Sequence, residues 1–217
     1  MKHRAPSRPL RAFASLALLF ALGGCSLLGG GKREPVTIYS PQVAVQPDPS
    51  WPRADWQLSI AKPTAARLVD SPRIAVRPAP GELQVYRGSS WAQPPTDMIE
   101  ASVLRVLEDS GKIAGVGRLA TGMRSDYRLA LDVRRFESDY RGGALPLATI
   151  EISATLLNNR DQRIVARQTF LREEPSPSTD VGTVTEAFGR ALGSISVEIA
   201  GWALVNGQGD VQAHPAR

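Results

Sequence analysis

Tyr127, Leu129, Leu131 and Val133 alternate with Arg128, Ala130, Asp132 and Arg134. This is the period-two pattern of a strand with one buried and one wet face. After Arg134-Arg135 the phase breaks and Phe136 falls out of step, which predicts a β-bulge. Ile150, Ile152, Ala154 and Leu156 repeat the alternation against Glu151, Ser153 and Thr155. A third segment, residues 164–171, returns after the turn Asn158-Asn159-Arg160-Asp161. Together these segments predict an antiparallel meander with one solvated face. Shorter strand patterns lie upstream at residues 36–40, at Trp56, Leu58 and Ile60, at Ile74 and Val76, and at residues 83–87. The proline-rich stretch 41–53 and the Pro80-Gly81 turn interrupt them.

Two segments change to helical spacing. Ile99, Val103, Val106 and Leu107 form one apolar stripe. Asp97 with Glu100 resembles a capping box, and Gly111 suits the left-handed position that closes a helix. The second helix is predicted over residues 180–204, where Val181, Val184, Phe188, Leu192, Ile195, Ile199 and Trp202 recur at spacings of three and four. Thr179 is its expected N-cap. Gly189 and Gly193, one turn apart, are expected to let this helix sit close to the sheet. Residues 205–217 read as a disordered tail. Strands then helix, repeated once, is an α+β order. The prediction is a single two-layer domain over residues 36–204, a mainly antiparallel sheet with two helices packed on one face.

The N-terminus has a different grammar. Lys2, Arg4, Arg8 and Arg11 precede an apolar run over residues 12–22, too short for a bilayer-spanning helix, which needs about 20 residues. Leu22-Gly23-Gly24-Cys25 follows and contains the only cysteine. This resembles a lipobox, whose thiol takes a diacylglycerol before the chain is cut ahead of the cysteine. Residues 1–24 are therefore read as a lipoprotein signal peptide and Cys25 as the lipidated residue. Residues 26–35 are read as a tether spanning roughly 16–19 Å as a flexible chain and at most about 35 Å extended.

Cleavage changes what the composition means. The signal carries four basic and no acidic residues, leaving 22 of the 26 basic residues against 21 acidic ones. The basic pI thus gives no reason to expect nucleic acid as a partner. His3 leaves with the signal, His214 lies near the C-terminus, and acylation would consume the one thiol. The body lacks the residues of Ser-His-Asp and Cys-His catalysis and of ordinary zinc sites. No catalytic, metal or cofactor-binding residue is assigned, and the expectation is a non-enzyme with no cofactor. Gly29-Gly30-Gly31-Lys32 lacks the spacing of a phosphate loop. Glu173-Glu174 are adjacent on a strand and so point to opposite faces. Arg128, Arg134, Arg163 and Arg167 form a basic stripe interleaved with Asp132 and Glu151, read as a solvated face. Trp91, before the Pro94-Pro95 pair, has two readings: a staple of the helix entry to the core, or an exposed anchor. With Tyr86 it defines the candidate partner contact Tyr86, Trp91, Pro94 and Pro95.

The order of residues 68–76 (LVDSPRIAV), Glu82-Leu83, Tyr86, Trp91–Pro95, Asp126–Leu129, Phe136–Tyr140 and Arg167–Phe170 resembles the ABC-type transport auxiliary lipoprotein family. This is the lipoprotein component of Pqi-type, mammalian-cell-entry (MCE) type intermembrane lipid transport systems. The resemblance implies a non-enzymatic periplasmic lipoprotein held in the outer membrane by its lipid anchor. It implies docking of an MCE-domain periplasmic or inner-membrane transporter subunit, with ATP hydrolysis left to another subunit. Ser26 agrees with outer-membrane sorting, since Asp there is the usual retention signal. A homo-oligomer is left open. The rival reading is an assembly-factor lipoprotein, for lipopolysaccharide transport or as a cell-wall synthase activator. An enzyme is the third reading, opposed by the missing nucleophile–base machinery.

Replacing Cys25 by Ser is expected to abolish incorporation of labelled palmitate and leave the precursor uncut by the lipoprotein pathway. Acyl labelling of this variant at the wild-type level contradicts the anchor.

Overall fold

The computed structural model describes residues 35–214; the signal peptide, Cys25 and nearly all of the tether lie outside that range. In chain order the elements are β1 (Thr37–Tyr39), β2 (Ala54–Ile60), β3 (Thr64–Ala65), β4 (Arg73–Arg77), β5 (Gln84–Trp91), α1 (Pro95–Ser110), β6 (Ile113–Arg118), β7 (Tyr127–Asp139), β8 (Leu147–Asn158), β9 (Ile164–Pro175) and α2 (Val181–Ala213). A 3₁₀ turn, Leu119–Thr121, links β6 to the loop before β7.

β7, β8 and β9 form the expected meander, antiparallel in register from Tyr127↔Asn158 to Asp139↔Leu147 and on to Pro175. The bulge falls where the phase breaks, between Val133 and Arg135. The rest of the sheet departs from the antiparallel expectation. β2, β3 and β4 lie end to end along the other edge of β7, all parallel to it. β6 adds in parallel to β2, and β1 in parallel to β5, which itself pairs antiparallel with β4. The result is one mixed nine-stranded sheet. Short apolar alternations fix which face a strand buries, but not which neighbour it chooses or in which direction. β6, with two glycines and little alternation, left no strand signal.

The helices also depart locally from expectation. α1 has no side-chain cap: Pro94 is the N-cap, Pro95 occupies the first turn, and Asp97 sits inside that turn instead of capping it. Its C-terminal end is as predicted, with Gly111 at φ 58° and its N–H donating to Glu108 O. α2 is capped by Asp180, whose Oδ1 accepts from Gly182 N at 2.8 Å and Thr183 N at 3.3 Å, not by Thr179. α2 also runs on to Ala213, so residues 205–213 are helix and not a disordered tail. Two glycines there cost about 1 kcal/mol each in helix propensity. Tertiary contacts override this: Gly207 abuts the Trp56 indole and Asp210 is buried.

One core holds the inner faces of β7 and β8 together with both helices. At its centre Phe136 and Phe188 stack at 4.8 Å and 14°, and Trp91 meets both edge-on at 5.8 and 5.2 Å. α2 is buried on two sides. One side packs on the sheet; the other receives residues 42–51, a segment without regular structure that follows β1. A Cβ at Gly189 would lie 2.5 Å from the Gln42 carbonyl oxygen, one at Gly193 2.6 Å from that of Ala44, and one at Gly201 2.7 Å from Trp51 Nε1. The close approach expected of these glycines is real, but its partner is this N-terminal arm and not the sheet.

Truncating Phe188 to Ala removes the middle of the aromatic cluster. Unfolding by denaturant is expected to show a loss of roughly 3–5 kcal/mol; a loss below about 0.5 kcal/mol would place the ring outside the core.

Candidate functional site

The proposed contact residues separate once placed in the fold. Trp91 is 2% exposed and packed edge-on against the stacked Phe136 and Phe188, so it is a staple of the core and offers nothing to a partner. Its position at the end of β5, against Tyr39 of β1, turns the ring inward. Pro95 is buried at the start of α1 and Pro94 is half-buried as its N-cap. Tyr86 is half-buried, and its hydroxyl shares hydrogen bonds with Ser138 Oγ at 2.9 Å and Tyr140 Oη at 3.3 Å. Burial pushes its phenol pKa up. The four residues do not form one exposed patch.

Beside them lies a cleft of about 370 Å³, floored by α1 and α2 and roofed by the arm. Pro41, Val43, Val45, Met98, Ser102 and Leu192 line it. It has no nucleophile–base pair. Among the described residues no group of three His, Cys, Asp or Glu side chains is placed to hold a metal.

The opposite end of the domain is tied together by Asp210. Its carboxylate accepts from Tyr127 Oη at 3.0 Å, Asn158 Nδ2 at 3.1 Å and Arg163 Nη2 at 2.7 Å, and faces His214 Nδ1 at 3.2 Å. The last turns of α2 are thereby fastened to β7, β8 and the turn before β9. Burial pushes the Asp210 carboxyl upward, but the hydrogen bonds from Arg163, Asn158 and Tyr127 outweigh it and hold the pKa below the usual carboxylate range. Tyr127 moves the other way, raised by burial and by the carboxylate it donates to. Reading the tail as disordered hid this hub. The i, i+4 pair of Asp210 and His214 was the sequence signal that α2 continues.

The interleaved acids neutralise the basic stripe only at Arg134. Arg134 pairs with Asp132 at 3.9 Å and Glu151 at 3.5 Å, Arg128 donates to Gln162, and Arg167 donates to Thr155. Arg163 turns away to Asp210. Glu173 and Glu174 do point to opposite faces: the first pairs with Arg141 and the second with Arg190 of α2. At the far end of the same strands a denser cluster forms. Arg77 holds Glu137 with two hydrogen bonds, 2.8 and 3.0 Å, and Arg135 bridges Glu137 at 2.7 Å and Asp139 at 2.5 Å.

With this arrangement in view, the comparison with known proteins is decisive. The family model for the ABC-type transport auxiliary lipoprotein component matches residues 37–200. The chain belongs to this family. The match runs from β1 to most of α2, nearly the whole described fold. Among solved structures, a crystal structure of a Xanthomonas campestris protein, described as family DUF330, is 59% identical, with a TM-score of 0.79 over 82% of this chain and 99% of that one. A second solved protein, described only as uncharacterized, shares the fold at 14% identity, with a TM-score of 0.60 over 77% of this chain and 97% of that one. A curated relative from Bradyrhizobium diazoefficiens, an uncharacterized protein, is 22% identical over 179 residues. The match takes in 82% of this chain but only 48% of that relative, so the chain spans about half of its length. No helix among the described residues is long and apolar enough to cross a membrane.

Asp210→Ala is expected to cost roughly 1–3 kcal/mol at pH 7. A depressed carboxylate contributes stability above its unfolded pKa of about 3.9 and loses it as pH falls through the lower folded value. The gap between variant and wild type should therefore narrow on going from pH 7 to pH 3, followed by denaturant unfolding at each pH. A gap that holds or widens at pH 3 excludes the charged hub.

Proposed function

We propose that this auxiliary lipoprotein is a non-enzymatic docking subunit of an ABC-driven, MCE-type system that moves lipids or other hydrophobic solutes between membranes. Its domain stays within reach of the outer membrane through acylated Cys25. It presents a folded surface to the MCE-domain subunit arriving from the inner membrane, while ATP is hydrolysed elsewhere in the assembly. The observation that carries this reading is the family match over residues 37–200. The chemistry agrees with it. The body has no thiol, and its one imidazole, His214, has Asp210 as its hydrogen-bond partner among the described residues. The geometry offers a sheet whose ends are tied by the Asp210 hub and by the Arg77, Arg135, Glu137 and Asp139 cluster, which supports a positioning role.

The test is cross-linking in intact cells, followed by purification of the lipidated full chain through a C-terminal tag. An MCE-domain subunit is expected among the captured proteins, enriched over an unrelated outer-membrane lipoprotein carrying the same tag. Equal recovery with both baits contradicts the docking role, and capture of lipopolysaccharide-export or cell-wall synthase components instead supports the assembly-factor reading.

A further inference from the structure

The direction of β1 tells which end of the domain looks at the membrane. β4 and β5 are joined by the loop at residues 78–83, and β5 runs away from that loop, with Val76↔Gln84 at its start. β1 lies parallel to β5 in the register Thr37↔Ser89. Chain upstream of β1 therefore enters from the loop side, and Val36 stands about 13 Å short of the level of Gln84 at roughly 3.3 Å per residue. The hairpin at residues 140–146 projects from the same end, because Arg77 at the end of β4 is in register with Asp139 at the end of β7. The two loops are hydrogen-bonded together, Tyr140 N to Arg77 O at 2.9 Å and Gly142 N to Pro78 O at 3.2 Å.

This end carries apolar side chains that the fold does not use. Leu83 is 39% exposed and Leu145, on the returning side of the hairpin, 53%. Val36 and Ile38, on the free edge strand further from that end, are 57% and 68% exposed. The tip is also held stiffly. Arg141 adopts φ 51° and Gly142 φ 76°, Arg141 N donates to Asp139 Oδ1 at 3.0 Å, and the Arg141 guanidinium pairs with Asp139 and Glu173. Glu137 and Asp139, clamped by Arg77 and Arg135, form the base beneath it. Singly exposed leucines are ordinary; what sets Leu83 and Leu145 apart is their place on two braced loops at the end from which the chain upstream of β1 enters.

We infer that the end built from the 78–83 loop and the 140–146 hairpin is a membrane-contact face, with Leu83 and Leu145 seated in the lipid interface of the bilayer that holds Cys25. The inference rests on the reading of Cys25 as an acylated anchor. A tether of at most about 35 Å joined at the N-terminal end of β1 leaves this end within reach of the bilayer. The contact is apolar. Each arginine at this end is already paired, Arg141 with Asp139 and Glu173, Arg77 with Glu137 and Arg190 with Glu174, and the exposed Glu82 is acidic. Contact should therefore not depend on anionic lipid or on low salt.

The experiment uses the full lipidated chain in phosphatidylcholine vesicles, with or without anionic lipid. Leu83→Cys, Leu145→Cys and, at the opposite end, Ile164→Cys are each labelled with an environment-sensitive fluorophore. These positions are exposed, so the fold tolerates the label, and Cys25 is blocked by its lipid. The expected result is a blue shift and loss of quenching by aqueous iodide at positions 83 and 145, unchanged by anionic lipid, with position 164 as quenchable as in detergent-free solution. If the protein floats with the vesicles while positions 83 and 145 stay as quenchable as 164, the membrane-contact face is wrong and the anchor stands. Shielding at 164 alone reverses the orientation and overturns the inference. Failure of the wild-type protein to float removes the anchor, and the inference with it.

Discussion

The close seating of the N-terminal arm on α2 is the constraint from which the rest of the domain follows. Gly189, Gly193 and Gly201 leave no room for a β-carbon between helix and arm. α2 is thus enclosed on both sides, by the sheet and by the arm, and its apolar character extends well beyond one stripe. Polar side chains are left a narrow strip, which includes Glu186, Arg190 and Ser194. Once α2 is fixed, Phe188 is presented to Phe136, Trp91 closes over both, and β5 and β1 are drawn onto the same core. The arm is in effect a third layer, built from a segment with no secondary structure of its own.

The two faces of the sheet are completed by different physics. The inner face is closed by close-packed hydrocarbon. The outer face carries polar and charged side chains, joined by ion pairs at Arg134 and most densely toward the hairpin end. Toward the hairpin end this pairing is dense enough that Glu137 and Asp139 are buried beneath the arginines holding them. Burying carboxylates is unfavourable unless every lone pair is met. Here Arg77 meets Glu137 in a two-bond fork and Arg135 spans both acids, so the desolvation is offset by geometry. Such an arrangement adds little net stability but allows a single side-chain arrangement, which keeps the strand ends and their hairpin in one place.

Much of this was legible in the chain and some was not, for identifiable reasons. The meander, its bulge after Val133 and the Gly111 helix stop follow from local periodicity and local backbone chemistry, and they lie where those rules put them. The parallel placement of β2, β3 and β4 along β7 depends on long-range choice among similar short strands, which no local pattern encodes. Trp91 was left between core and surface because a tryptophan before a proline pair fits either, and only the neighbouring Phe136 and Phe188, distant in sequence, decide it. The end of α2 was misjudged because glycine-rich, polar residues 206–210 read as coil, while their helix is imposed from outside by Trp56, Tyr127 and Arg163. Family-level resemblance succeeded where local rules were silent, since it sums many weak positions across the entire fold.

The parallel pairing of β1 with β5 has a mechanical consequence. A load applied to the N-terminal end of β1 along its axis strains its hydrogen bonds to the parallel β5 together in shear, and they cannot be unzipped one by one. Were that short ladder to slip, the next resistance would be the arm's backbone lodged against Gly189 and Gly193, which passes the load directly into the longest helix of the domain. Resistance to such a load is thus arranged in series, with a three-residue ladder backed by a 33-residue helix.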